Sequence, residues 1–149
     1  MKILIYGYGN PGRQDDGLGT LFVEELEKWA KSENLDITCD SNYQLNAEDA
    51  LTVSENGLVI FADASKHAAS GYNFRQIKPG GSISFSTHSL NPESVLALCK
   101  ELYSKEPAAY LMTIEGYGWE VNAQLTAKAR QNLDKALGFI RKFIKEHTA

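Results

Sequence analysis

The sequence predicts a three-layer α/β domain, with a twisted, mostly parallel sheet of about five strands flanked by helices. Segments with helical spacing alternate with short apolar runs along nearly the whole chain, the order expected when crossover helices link parallel strands. The run Leu58-Val59-Ile60-Phe61-Ala62 is apolar without a break, as a strand covered on both faces requires. The first apolar run, Ile3 to Tyr6, passes through Gly7, Gly9, Asn10 and Gly12 into an amphipathic segment, which reads as strand, glycine-rich turn and helix.

The first helix is expected from about Asp16 to Ser32. Leu18, Phe22, Val23, Leu26 and Trp29 face a core, and Glu24, Glu25, Glu27 and Lys28 fall largely off that stripe. Ile37 to Asp40 forms a short second strand. A polar connection, Ser41 to Leu45, leads to a short helix from Ala47 to Ser54, capped by Asn46 and ended by Gly57. The buried strand Leu58–Ala62 stops at Asp63, and Ala64 to Gly71 is a loop. Tyr72 to Lys78 alternates in polarity and reads as a strand open to antiparallel pairing. Pro79-Gly80-Gly81 is a turn, and Ser82 to Ser86 is an extended piece ending at Thr87-His88. Asn91 caps the next helix and Pro92 occupies its first position; Val95, Leu96, Leu98 and Leu102 follow. Ala108 to Ile114 is the last strand. Glu115 to Trp119 is a loop with two glycines and two aromatics. The final helix runs from about Asn122 to Glu146, with Leu125, Ala129, Leu133, Leu137, Ile140 and Ile144 spaced by threes and fours. No repeat, low-complexity segment or linker divides the chain, so residues 1–149 read as one domain.

Composition narrows the function. The 149 residues are 43% hydrophobic and 23% charged, values ordinary for a soluble globular protein. A formal charge of −4 offers no basic face for nucleic acid. No apolar run is long enough to span a bilayer. The chain enters a strand at once, without a signal-peptide pattern, so a cytoplasmic location is the default expectation. Cys39 and Cys99 are far apart and form no Cys-x-x-Cys pair, and are read as ordinary buried thiols.

Four polar residues stand just after predicted strands: Asp16, Asp63, His88 and Glu115. In an open parallel sheet those ends share one edge, where ligands bind. Two carboxylates and an imidazole suit zinc or nickel and leave a coordination position open for substrate or water. Each residue also has a plainer role. Asp16 can cap the first helix, Asp63 can close an Asx-turn, His88 can face solvent, and Glu115 can pair with a lysine or line the crevice. Asp15 reads as a cap or turn residue, and His67 and His147 as surface residues. Gly7-Tyr8-Gly9 with Gly12 is nominally G-x-G-x-x-G, and Asp40 stands where a ribose-binding acid would be expected. Asp15 and Asp16 would repel a pyrophosphate there, so nucleotide binding is disfavoured.

The stretch G-Y-G-N-P-G-R-Q-D-D-G-L-G, Gly7 to Gly19, resembles the opening of the hydrogenase maturation endopeptidases, in which a G-x-G-N turn leads to D-D-G-x-G or D-E-x-x-G. Phe61-Ala62-Asp63-Ala64 is similar to that family's V-x-D-A. Ser86-Thr87-His88-Ser89-Leu90 matches its histidine segment before a helix. The resemblance covers nearly the whole chain in element order. It implies a twisted, largely parallel sheet flanked by helices. It also implies removal of a C-terminal peptide from the large-subunit precursor of a nickel–iron hydrogenase after nickel insertion. Asp16, Asp63 and His88 are then the metal-contacting and catalytic residues, and the nickel arrives with the substrate. The family's glycine-rich segment after the second acid is replaced here by Ala64 to Gly71, which leaves the substrate subclass open. No Ser or Cys nucleophile with a histidine partner is evident, and H-E-x-x-H is absent.

Two rivals remain. Gly9-Asn10-Pro11-Gly12 also resembles the turn of bacterial peptidyl-tRNA hydrolases, but Arg13 to Gly19 lacks that family's histidine and the chain is acidic. A metal-dependent assembly chaperone can use the same three ligands to bind precursor without cutting it. Tyr117 and Trp119 either line a substrate cleft or, for Trp119, pack on the final helix.

Overall fold

The computed structural model describes residues 1–80 and 90–148. Gly81, the expected extended piece Ser82–Ser86 and His88 lie outside the described residues. Nine regular elements follow in chain order among those described: β1 (Ile3–Tyr8), α1 (Leu18–Ser32), β2 (Ile37–Asn42), α2 (Asp49–Ser54), β3 (Leu58–Ser65), β4 (Tyr72–Ile77), α3 (Pro92–Tyr103), β5 (Ala108–Glu115) and α4 (Ala127–Thr148).

The strands form one sheet in the order β2-β1-β3-β5-β4. β1 pairs in parallel with β2 and β3, and β3 in parallel with β5. The alternating segment β4 lies antiparallel on β5, from Tyr72 opposite Ile114 to Ile77 opposite Ala109. The chain leaves β1 for β2 on one side and later enters β3 on the other. The connections therefore reverse between β1 and β3, and a crevice opens there beyond the strand ends.

Side-chain alternation divides the core into two layers. Ile3, Ile5, Leu58, Ile60, Met112 and Ile114 face α1 and α4, meeting Phe22, Leu26, Leu133, Leu137 and Ile140. Leu4, Tyr6, Val59, Phe61 and Leu111 face the opposite way, onto Ala50 and Val53 of α2 and Val95, Leu96 and Cys99 of α3. Cys99 is buried as expected, whereas Cys39 on the edge strand is only half-buried. Leu102, assigned to the apolar stripe of its helix, is 60% exposed.

The helix boundaries have local causes. Asn91 caps α3 as expected, its side chain accepting from Ser94 N at 2.8 Å with Pro92 next in line. Asn46 does not cap α2. The carboxylate of Asp49 reaches back instead, accepting Asn46 N at 2.7 Å and the Tyr6 hydroxyl at 2.9 Å. α4 begins five residues later than expected because Asn122 sits at φ 61° and Thr126, not Asn122, caps the helix, its Oγ1 accepting Ala129 N at 3.3 Å.

α1 approaches the sheet closely through glycine. A Cβ on Gly19 would lie 2.6 Å from the Ala62 carbonyl oxygen and 2.7 Å from that of Tyr8. A Cβ on Gly7 would lie 2.2 Å from the Gly19 oxygen. Both obstacles are backbone, which cannot swing aside. Gly19→Ala is therefore expected to push α1 off β1 and β3 and cost about 1–3 kcal/mol, read as a lowered urea midpoint at unchanged m-value.

Candidate functional site

The turn between β1 and α1 carries two adjacent carboxylates with opposite fates. Residues Gln14–Gly17 form a single 3-10 turn, and Gly17 is the N-cap residue of α1 without a side-chain cap. Neither aspartate caps the helix. Asp16 is half-buried and turns back to the glycine turn, its Oδ2 accepting Asn10 N at 2.9 Å. The turn amide that would otherwise face an anion is thus taken by a carboxylate. Asp40, the other half of the nucleotide pattern, spends its carboxylate on Ser41 N at 2.8 Å.

Asp15 points the other way and is fully buried. Its Oδ1 accepts Thr126 N at 2.9 Å; its Oδ2 accepts Tyr117 N at 2.7 Å, Gly118 N at 3.0 Å and the Thr126 hydroxyl at 2.7 Å. Burial alone would push this carboxyl up. The hydrogen bonds from Tyr117, Thr126 and Gly118 outweigh it and hold the group below its ordinary range. Sequence reasoning took Asp15 for a cap or turn residue; it is the post to which the 116–126 loop is tied.

Asp63 lies inside β3, not after it. β3 continues to Ser65 because β5 keeps pairing with it, Asp63 opposite Thr113 and Ser65 opposite Glu115. β1 has already stopped, with Gly7 opposite Ala62 as its final pair on that side. Asp63 is therefore held by a strand on one flank and open to the crevice on the other. Alternation puts it on the face of Val59 and Phe61, where Tyr8 follows Tyr6. Tyr8 on that face and Ala64 N beside it both favour the ionised form of the Asp63 carboxyl.

Burial pushes the Asp63 carboxyl up, Ala64 N pulls it down, the Asp16 charge raises it again and Tyr8 lowers it; the balance stands at about 7. Burial and the nearby Asp63 charge push the Tyr8 hydroxyl far up, so it remains a neutral donor. The Asp16 charge thus reaches Asp63 at the β1/β3 crevice. A carboxyl poised near neutrality can exchange a proton with water or give one up to an arriving cation. His88, the third expected member, lies outside the described residues. Among the described residues no three His, Cys, Asp or Glu side chains are grouped to hold a metal ion.

Glu115 is the last residue of β5 and does not join the pair. Its carboxylate accepts Ala68 N at 2.9 Å, and that bond, then one from Tyr117, keep it below its ordinary value. Asn132 of α4 completes the brace, donating to the Glu115 carbonyl at 3.0 Å and to the Tyr117 hydroxyl at 2.9 Å. Tyr117 is thereby fixed onto α4, with Lys128 Nζ 5.2 Å from its ring centroid. Trp119 lies under Lys66, 5.7 Å from the ring centroid to Nζ. His67 and His147 are exposed, as expected. Two residues escaped sequence reasoning. Tyr8 had a usable signal, since period-2 counting from Tyr6 puts it on the face of Asp63. Asp15 had none, because its partners lie more than a hundred positions away.

Fold and crevice define a doubly wound α/β protein with two interacting carboxylates at its switch point. The solved structures that share this architecture are largely hydrogenase maturation proteases. One is the NiFe hydrogenase maturation protease HycI from Thermococcus kodakarensis, with TM-score 0.69 and 22% identity over 97% of this chain and 92% of that one. Another is the hydrogenase maturating endopeptidase HybD from E. coli, with TM-score 0.75 and 19% identity over 99% and 94%. A third is HybD from Thermococcus kodakarensis, with TM-score 0.65 and 16% identity over 96% and 99%. No family model matches the chain, and no curated protein matches it. The chain has the fold of the hydrogenase maturation proteases.

Proposed function

We propose that the protein is an endopeptidase that removes a C-terminal peptide from the nickel-loaded precursor of a nickel–iron hydrogenase large subunit, acting in the cytoplasm. What supports this reading is the Asp16 charge acting on Asp63 beside the β1/β3 crevice, in a fold shared with maturation proteases along almost the whole chain. His88 is the proposed third member of the site. The nickel is cargo of the substrate and would be contacted by Asp16, Asp63 and His88 when the precursor docks.

The reaction is hydrolysis: water adds to the scissile carbonyl, the C–N bond breaks and the leaving amine takes a proton. A cation at the site would polarise the carbonyl or lower the pKa of the attacking water. Asp63 suits the proton-handling role, because a carboxyl near 7 accepts a proton from water and returns it to the amine at neutral pH. Asp16, tied to the turn by Asn10 N, supplies the fixed negative charge.

The test mixes purified protein with nickel-loaded and nickel-free precursor and weighs the products by mass spectrometry. A shortened product is expected from the nickel-loaded form alone. Binding without shortening would replace the protease by the assembly chaperone.

A further inference from the structure

Two cavities flank the turn between β1 and α1. One, of ≈ 210 Å³, is lined by Gly9, Pro11, Thr20, Ser41, Asn42 and Tyr43. The other, of ≈ 260 Å³, has walls that include Pro11, Gln14, Thr20, Glu24, Gln124 and Leu125. Pro11 and Thr20 belong to both, so the two depressions meet at a common sill. Each is smaller than the roughly 300 Å³ at which small-molecule sites begin, and side by side they suit an extended chain better than a compact ligand.

Both cavities border the turn that carries Asp16. Gly9, on the wall of the first cavity, stands so close that a Cβ there would lie 2.2 Å from the Asp16 carbonyl oxygen and 3.5 Å from its Oδ1. Gly17, next after Asp16 in the chain, lines the second. The charge is one-sided. Among the described residues Glu24 is the only formally charged one on either wall. It has no ion-pair partner among the described residues, whereas its neighbours Glu25 and Glu27 pair with Arg130 and Lys31. At the far end Tyr43 is 69% exposed beside uncharged Ser41 and Asn42.

We infer that these two cavities form one track for an extended segment of the substrate polypeptide, with a lysine or arginine side chain seated against Glu24 and uncharged residues lying toward Tyr43. This rests on the protease reading for the identity of the chain that fills it, the tail of the precursor. Its recognition chemistry is independent of cleavage: a lone carboxylate, small walls that admit a backbone, and an open aromatic ring.

Two measurements test it. Acetylated and amidated pentapeptides, Ala-Val-Lys-Ala-Val and Ala-Val-Glu-Ala-Val, are titrated into the full chain and followed by backbone NMR. The lysine peptide is expected to shift the amides of Gly9, Thr20, Glu24 and Gln124, and the glutamate peptide to leave them in place. Equal shifts from both, or shifts elsewhere, overturn the track. In the second, Thr20→Trp fills the sill and Glu24→Lys reverses the charge, each checked for folding by its thermal midpoint. Processing at sub-saturating precursor is expected to fall at least tenfold in both. Unaltered processing by folded Thr20→Trp and Glu24→Lys overturns the track and leaves the protease standing. Lysine-selective shifts in a protein that cleaves no precursor would overturn the protease and leave the track standing.

Discussion

Replacing Asp63 by asparagine is expected to abolish processing while making the protein more stable above neutral pH. Removal of a group that transfers protons in the transition state lowers kcat/KM by roughly 10²–10⁴-fold. The stability change follows from the direction of the shift. The folded carboxyl stands at about 7, above the roughly 4 of an unfolded aspartate. A raised acid favours folding fully only below its unfolded value. That advantage is lost as pH climbs through the folded value, where the buried group must ionise beside Asp16. Asparagine has no such charge to bury. Wild type and Asp63→Asn should therefore match near pH 3, diverge as pH rises from about 4 to about 7, and above that differ by a constant amount, with the variant more stable by about 1–3 kcal/mol after allowance for partial solvent access. Urea titrations at both pH values read this directly. Asp16→Asn and His88→Ala are also expected to stop processing with the fold intact, and normal processing by all three variants would refute the site. A variant that gains stability as it loses activity separates a working acid from a structural one.

Asp15 gives the opposite result. Asp15→Asn is expected to destabilise by about 3 kcal/mol at pH 7, although it removes no atom of size. One carboxylate accepts four hydrogen bonds, two of them from Thr126 and the others from Tyr117 N and Gly118 N. An amide has one oxygen to offer, and its NH2 group must face a donor. Because the folded carboxyl is held below its ordinary value, its contribution is complete above pH 5 and is lost as pH falls through the folded value. In the variant that acid-dependent step should disappear, and limited proteolysis should cut first in the 116–126 loop. Wild-type stability for Asp15→Asn across that range would remove Asp15 from its structural role.

These two aspartates mark how far the sequence could be read. Asp16 and Asp63 can be singled out from the sequence because strand ends in a parallel sheet share an edge, a rule that needs only the order of elements. The position of Asp63 within β3 was missed because the apolar run ends at Ala62; what extends the strand is β5, whose pairing continues to Glu115 opposite Ser65. The antiparallel placement of β4 was legible from its alternation. The start of α4 was not, since Thr126 caps that helix while sharing its hydroxyl with Asp15. Glu115 looked like a fourth site residue by the same edge rule. It turned to Ala68 N because the loop after β3 folds back beneath it. Periodicity reports which face a residue takes, but it carries no information about which distant loop will arrive there.

The tie between Asp15 and its loop bears on when the crevice comes into being. Tyr117 and Thr126 follow Asp15 by 102 and 111 positions. While the chain is being synthesised, β1, β2 and β3 can emerge with both site aspartates present, yet Asp15 in the same turn lacks all four of its hydrogen-bond donors until the last third is made. The braced crevice therefore arises only once β5 and α4 are in place, and not in the nascent stages, a built-in delay before the site is formed.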